Sequence, residues 1–468
     1  MAMHDDDSVS NPSANGTFEE IVRASLSRRQ VAQGVLGATA LAFLSGASVL
    51  AAPRKAAAQT WLKPSELLGF TRVPASSADT LVVPPGYKAE VLYAWGDPVS
   101  AGPRFAADAS NSAAEQEEQA GMHHDGMSFF PLGFGFGRFR RGLLAINHEY
   151  TEDAILHPGG FEPWTAEKVQ KSIAAHGVSI VEVVQRGDRW SVARPSRFAR
   201  RITGATPMEI TGPAAGHPWM RTAEDPRGVR VRGTLNNCAN GKTPWGTYLT
   251  CEENFNGYFA NATGDIAGAS EADKATQLAL QARYGIPKAS GYRWNELEAR
   301  FDAAANPHEP NRFGWVVEID PYDPRSTPKK RTALGRVKHE NAEVTTTCDG
   351  RAVVYMGDDE RFEYIYKFVS REPWRRALRR GKSPLDEGTL YVARFEADGT
   401  GRWLELTQGK NGLTAEAGFP SQAEVVINAR RAADIAGATK MDRPEWVAVH
   451  PDTKDVYITL TNNSRRTP

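Results

Sequence analysis

Four segments of this chain place acidic or amide side chains directly after short apolar, β-branched runs. Leu143-Leu144-Ala145-Ile146 runs into Asn147-His148-Glu149, and Tyr248-Leu249-Thr250 runs into Cys251-Glu252-Glu253-Asn254. Val353-Val354-Tyr355-Met356-Gly357 runs into Asp358-Asp359-Glu360, and Val456-Tyr457-Ile458-Thr459-Leu460 runs into Thr461-Asn462-Asn463. They recur at intervals of about a hundred residues, longer than the common repeat families. A second polar motif precedes each: His123-His124-Asp125-Gly126, Asn236-Asn237-Cys238-Ala239-Asn240, His339-Glu340-Asn341-Ala342-Glu343 and Arg443-Pro444-Glu445-Trp446. Turn residues separate the two elements most clearly at Cys348-Asp349-Gly350 and at His450-Pro451-Asp452-Thr453-Lys454. Each unit reads as a hairpin, in which the start of the first strand and the end of the second lie side by side. Both polar motifs then project from one edge of the sheet.

The chemistry of such an edge is cation binding. Clustered carboxylates repel one another unless cations neutralise them. A thiolate beside Glu252 and Glu253 suits iron or another transition metal better than calcium alone; the competing reading of Cys251 is a buried structural cysteine. In the His339–Glu343 motif, alternation puts Glu340 and Ala342 on one face, and Glu340 is the favoured ligand, against a solvated edge strand. Asp358-Asp359-Glu360 reads as a calcium loop or a polar turn. Arg443 and Glu445 share a strand face, the arginine suited to a phosphate oxygen and the glutamate to a metal, against a surface ion pair. Glu149, Glu252, Glu340, Asp358 and Glu445 are thereby expected around one axis, with Asn147 a further substrate contact. His123, His124 and His148 are read as ligands or as structural histidines.

Strand-like runs also cover Phe313–Asp320, Phe362–Phe368 and Thr389–Phe395, and Thr80–Trp95 reads as an opening strand pair around Pro84-Pro85-Gly86. Helical pattern is confined to insertions: Glu271–Tyr284, Trp374–Arg380 and Ser421–Ala436. The fold class is therefore all-β with helical insertions. Radial repetition of the hairpins makes a β-propeller whose inner strand ends converge on a central channel.

Composition bounds the partners. The 468 residues carry 56 Lys+Arg and 56 Asp+Glu, so the formal net charge of zero supports neither a nucleic-acid partner nor a polybasic membrane anchor. Ser27-Arg28-Arg29-Gln30-Val31, an apolar run over Val35–Leu50 and small residues through Ala58 read as a twin-arginine export signal, which divides the chain into a disordered leader with signal peptide at 1–58 and a domain at 59–468. That route carries folded proteins, which suits metals loaded before export. Of Cys238, Cys251 and Cys348, an oxidising compartment pairs two at most, and metal ligation protects a leftover thiol.

The stretch Leu235–Phe259, with HHDGM, NHEYT, KHENAEV, YMGDDER and RPEWVAVHP, resembles the PhoX-type alkaline phosphatases from about Thr80 to the C-terminus. The resemblance implies a six-bladed β-propeller with an exported phosphomonoesterase site of ferric iron and calcium. It implies Cys251 as an iron ligand, Glu340 and Glu445 as metal ligands, and Arg443 as the phosphate-binding group, with Arg443 and Glu340 the catalytic pair. Carried less directly are Glu149, Glu252 and Asp358. Family members continue past the Thr-Asn-Asn-Ser motif, so the expected propeller lacks its C-terminal portion. The expected localisation is periplasmic or extracellular, and the expected partners are small phosphate esters and the twin-arginine translocase, with the protein monomeric and without a stable membrane anchor. A phosphodiesterase or lactonase on a similar propeller, and a non-enzymatic calcium-binding propeller, are the alternatives.

Overall fold

The computed structural model describes residues 70–133, 140–268 and 270–467. The leader at 1–58 lies outside the described residues. Those residues fall into two units, 70–91 and 92–467, and every element below belongs to the second. In the first unit, the Thr80–Val91 part of the expected strand pair is irregular chain around a turn in which the Tyr87 N–H donates to Pro84 O; residues 92–95 are likewise not strand. Pro84 and Pro85 have no N–H to give a ladder.

The second unit is mostly β with few helices. The first sheet holds β1 (His124–Pro131), β2 (Arg141–His148), β3 (Gly177–Arg186) and β4 (Arg189–Val192) in sequence order, with β5 (Arg200–Ile202) also on β3. The second holds β6 (Pro207–Thr211), β7 (Arg230–Arg232), β8 (Asn237–Lys242), β9 (Tyr248–Glu252), β10 (Val316–Ile319) and β11 (Lys329–Arg331) in the order β7-β6-β11-β10-β9-β8. The third is a meander of β12 (Glu343–Thr346), β13 (Arg351–Gly357), β14 (Ile365–Pro373), β15 (Gly388–Phe395) and β16 (Gly401–Glu405). The fourth is the pair β17 (Pro444–Val449) and β18 (Val456–Leu460).

The four hairpins inferred from sequence are β1–β2, β8–β9, β12–β13 and β17–β18, all antiparallel. Their registers pair His124 with His148, Asn237 with Glu252, and Pro444 with Leu460, and an isolated bridge joins His339 to Asp358. In each unit the two polar motifs therefore meet at one end.

The second sheet is covered on both faces. Tyr248, Val317 and Ile319 pack with Phe130, Leu143, Ile180 and Trp315 in one core. Leu249, Cys251 and Val316 pack with Val354, Met356, Tyr366 and Leu390 in the other. Such strands read as continuous apolar runs because neither face meets water. The expected helices form at Glu271–Arg283 and Trp374–Arg379. The third splits into Gln422–Ile427 and Ala429–Ala436 at Asn428, whose φ of −113° and ψ of 46° are not helical. The Ile427 carbonyl accepts instead from Tyr284 Oη and Arg336 Nη1, both at 3.1 Å.

Successive hairpins touch where there is no side chain. A Cβ on Gly126 of β1 would lie 2.7 Å from Ala239 C, and one on Gly241 of β8 would lie 1.9 Å from Ala342 O. One on Gly357 of β13 would lie 2.4 Å from Pro444 O. Only glycine permits such approach. Asn341 adds a reciprocal clamp across the last contact: its amide donates to Val447 O at 2.9 Å and its carbonyl accepts from Val447 N at 3.1 Å.

Candidate active site

The four polar ends are built alike. The carbonyls of His123, Asn236, Lys338 and Arg443 accept from the N–H groups of Glu149, Glu253, Asp359 and Thr461 at 3.1, 2.9, 3.1 and 3.3 Å. His123, Asn236 and Arg443 stand in the left-handed region, with φ of 46°, 49° and 54°. Non-glycine residues hold that conformation at a cost of about 1–2 kcal/mol each, so its recurrence marks a constrained position. Two residues further along the chain in each case come Asp125, Cys238, Glu340 and Glu445. These residues, with Glu149, Glu253 and Asp359 from the second strand ends, form one acidic pole.

Their ligand atoms converge. The donor atoms of Asp125, Glu149 and Cys238 lie within 4.8 Å of one another, as do those of Cys238, Glu253 and Glu340. The Cys238 thiol donates to Asp125 Oδ2 at 3.4 Å and to Glu340 Oε1 at 3.2 Å. The electrostatics are those of like charges taken out of water. Burial, then the neighbouring Asp125 and Asp359 carboxylates, pushes Glu149 up to about 8. Burial, then Asp359, Glu445 and Asp125, raises Glu340 to about 8 despite the Cys238 hydrogen bond. Glu253 and Glu445 move up for the same reasons, and burial with four surrounding acids holds the Cys238 thiol protonated. Two cations meet this field. Arg443 forms a two-pronged pair with Asp359, at 2.9 and 2.7 Å, with Glu445 at 3.6 Å. Lys338 pairs with Glu360 at 3.0 Å.

The other residues singled out in the sequence lie elsewhere or are already engaged. Cys251 faces the apolar core between the second and third sheets, fully buried. Glu252 turns to the opposite face of β9, where its carboxylate accepts from Lys330 Nζ at 2.7 Å and from the Gly314 and Trp315 amides at 3.0 and 3.1 Å. Asp358 is bound by Arg430 at 2.8 and 2.5 Å and by the Lys338 N–H at 3.1 Å. These carboxylates hold elements together and have no oxygen aimed at the pole. Asn147 is also fully used: it donates to Cys238 O and Ala239 O at 2.6 and 2.9 Å and accepts from Tyr248 and Thr250, both at 2.8 Å. It orients the strand that carries Cys238. His148 Nε2 shares a hydrogen bond with the Ser179 hydroxyl at 2.6 Å, and His339 Nε2 donates to Gly335 O at 2.8 Å, both inside the fold. The three cysteines are free thiols.

The family described as alkaline phosphatase PhoX matches residues 68–468. The chain belongs to the PhoX alkaline phosphatase family. Among solved structures, it is similar to Pseudomonas fluorescens PhoX in complex with vanadate, a transition state analogue, at 51% sequence identity and a TM-score of 0.79. That match covers 85% of this chain and 68% of the other. No curated protein matches the chain. As a member of this family the protein is a phosphoric monoester hydrolase.

Within this PhoX domain, Cys238, Glu253, Asp125 and Asp359 are the pole residues that the sequence reading undervalued. The signal that finds them is the repeat itself, aligned on the residue before each first strand. The obstacle is a set of β-bulges. The registers shift between His124 and Met127, between Asn237 and Asn240, and between Pro444 and Val447. Asp125, Cys238 and Glu445 lie inside those shifts, where a bulge re-aims a side chain and two-residue alternation fails.

Proposed function

We propose that this chain is an exported phosphomonoesterase whose acidic pole holds iron and calcium ions and receives the phosphate group beside Arg443. The carrying observation is the pole itself: a thiol and carboxylates from four hairpins converge there, with too little positive charge to balance them. A phosphate dianion enters such a field only after cations neutralise it.

The donor set fits those metals. Cys238 supplies a soft thiolate among hard oxygens, the mixture a transition ion such as ferric iron accepts, while Asp125, Glu149, Glu253, Glu340 and Glu445 offer the oxygen-only surroundings calcium takes. Cys238 replaces Cys251 as the proposed iron ligand, and Glu253 and Asp359 replace Glu252 and Asp358 at the pole. When bound, the cations supply charge neutralisation and Lewis acidity for in-line displacement at phosphorus.

The chain's own residues do the rest. Arg443 donates toward the non-bridging phosphate oxygens, where a planar fork suits developing charge. Asp359 holds the guanidinium in place from behind, so it need not be ordered when substrate arrives. Asn147 fixes the backbone on either side of Cys238. In the overall reaction water adds to phosphorus, the ester P–O bond breaks and the alcohol leaves with a proton.

The hairpins are read as inner strands of a β-propeller, six-bladed as the family resemblance implies, with the pole at the mouth of its channel. Glycine-mediated contact between successive hairpins supports radial order. The twin-arginine leader at 1–58 supports periplasmic or extracellular release of a monomer, with the translocase as export partner. Among the described residues no helix is long and apolar enough to cross a membrane.

The test is elemental analysis with activity on the same preparation. Iron and calcium, with phosphate released from simple monoesters, are expected. Zinc alone, or no phosphate from a preparation loaded with iron and calcium, overturns the reading.

A further inference from the structure

Two of the four equivalent positions at the pole carry neither an arginine nor a lysine. Arg443 and Lys338 occupy the other two and pair with carboxylates. Asn236 occupies a third, where its amide oxygen accepts from Asn254 N at 2.5 Å and its amide nitrogen faces Tyr258 Oη at 3.3 Å. The fourth is His123. Its ring lies flat against Tyr150, with centroids 3.8 Å apart and planes 10° apart. Both residues are exposed, Tyr150 by 36%.

Tyr150 directly follows Glu149, and His123 stands two residues before Asp125. The pair is therefore anchored on both strands of a hairpin whose polar end enters the acidic pole. Two features set it apart from a chance surface contact. His123 is held in a left-handed conformation. Its carbonyl is tied to Glu149 N at 3.1 Å, which fixes the two ring-bearing residues against each other. A rigid, water-facing aromatic surface at the rim of a phosphate site has one obvious chemical use, to stack a planar group on the ester's organic half.

We propose that the His123–Tyr150 pair is a specificity platform that binds a planar ring, such as a nucleobase, on the leaving group of the phosphate ester. The inference rests on the phosphatase reading of the pole and names the substrate class that this side of it favours. Neither ring touches the reacting atoms, so the platform acts on which ester is bound and leaves the displacement itself alone.

The experiment compares kcat/KM for adenosine 5′-monophosphate and glycerol 3-phosphate on the metal-loaded protein. Both esters release primary alkoxides of similar basicity, so their ratio isolates recognition of the ring. In His123→Ala and Tyr150→Ala the ratio is expected to fall about 5-fold, a typical worth for one aromatic stack, with glycerol 3-phosphate turnover retained. Tyr150→Phe should keep the wild-type ratio. Because both substrates are measured on one preparation, partial unfolding or metal loss cancels. An unchanged ratio in both alanine variants overturns the platform while leaving the phosphatase reading intact. Absence of phosphate release from either ester by the wild-type protein overturns both.

Discussion

Cys238 and Cys251 stand on the two strands of one hairpin, yet their surroundings differ in kind. Cys238 is bracketed by carboxylates, with Asn147 holding its backbone. Cys251 is enclosed by Leu249, Val316, Val354 and other apolar side chains. The two serine variants should therefore separate. Cys238→Ser should lose bound iron and lower phosphate release by more than ~100-fold, since even changes behind a metal ligand cost 10–100-fold. Cys251→Ser should keep its metals and its activity per folded molecule while losing about 1–3 kcal/mol of stability, because it buries a hydroxyl among apolar groups. Metal content and urea unfolding of both variants check this. The opposite pattern would return the ligand role to Cys251. Adjacent acids divide in the same way. Glu252 belongs to a wholly buried pair with Lys330, in which burial pushes the lysine down to about 8. Glu253, one residue on, turns into the pole.

At the scale of strands, the hairpins and their shared polar edge are legible in the sequence because each run is apolar and β-branched and ends abruptly in acids or amides. The strands Arg351–Gly357 and Gly388–Phe395 form almost where alternation and turn residues put them. What alternation cannot supply is the direction of a side chain inside a bulge, which is where Asp125, Cys238 and Glu445 lie. Nor can it distinguish Asp358 from Asp359 without knowing that Arg430, far along the chain, waits for the first of them. Thr80–Trp95 has strand composition but pairs with no strand among the described residues. The contact between β13 and β17 gives a further expectation. Gly357→Ala would force a methyl group against Pro444 O and Glu445 O, displacing the strand that carries Arg443 and Glu445. Phosphate release should fall at least ~10-fold through a raised KM, because a small misplacement of a binding group costs about that or more. An Ala variant at exposed Gly291, where a Cβ meets nothing within 4 Å and the backbone is not left-handed, controls for the loss of glycine itself. Equal effects at the two positions would sink this account.

For the molecule as a whole, the pole is a stored repulsion that ions relieve. In metal-stripped protein, Glu149 and Glu340 keep their protons up to about 8, against an ordinary value of 4.5. Between those values the folded chain binds more protons than the unfolded one, so stability falls as pH rises through the window. The urea midpoint of EDTA-treated protein should therefore drop from pH 5 to pH 8.5, and added iron and calcium should remove the drop by replacing protons with cations. A midpoint that climbs with pH in EDTA would contradict the burial and crowding assigned to these two glutamates.

The glycine contacts between hairpins carry an evolutionary consequence. Spacing at the pole is fixed where one backbone rests on another, at Gly126, Gly241 and Gly357, with the Asn147 and Asn341 amides as clamps, and not by the acids and thiol that project into the pole. Ligand identity and ligand position are therefore inherited separately. A lineage can exchange an acid for an amide or a thiol at the pole, and so drift toward a different ion or ester, without rebuilding the frame that holds its neighbours. The three glycines have no such freedom, since any larger residue there shifts a whole hairpin, with every ligand it carries.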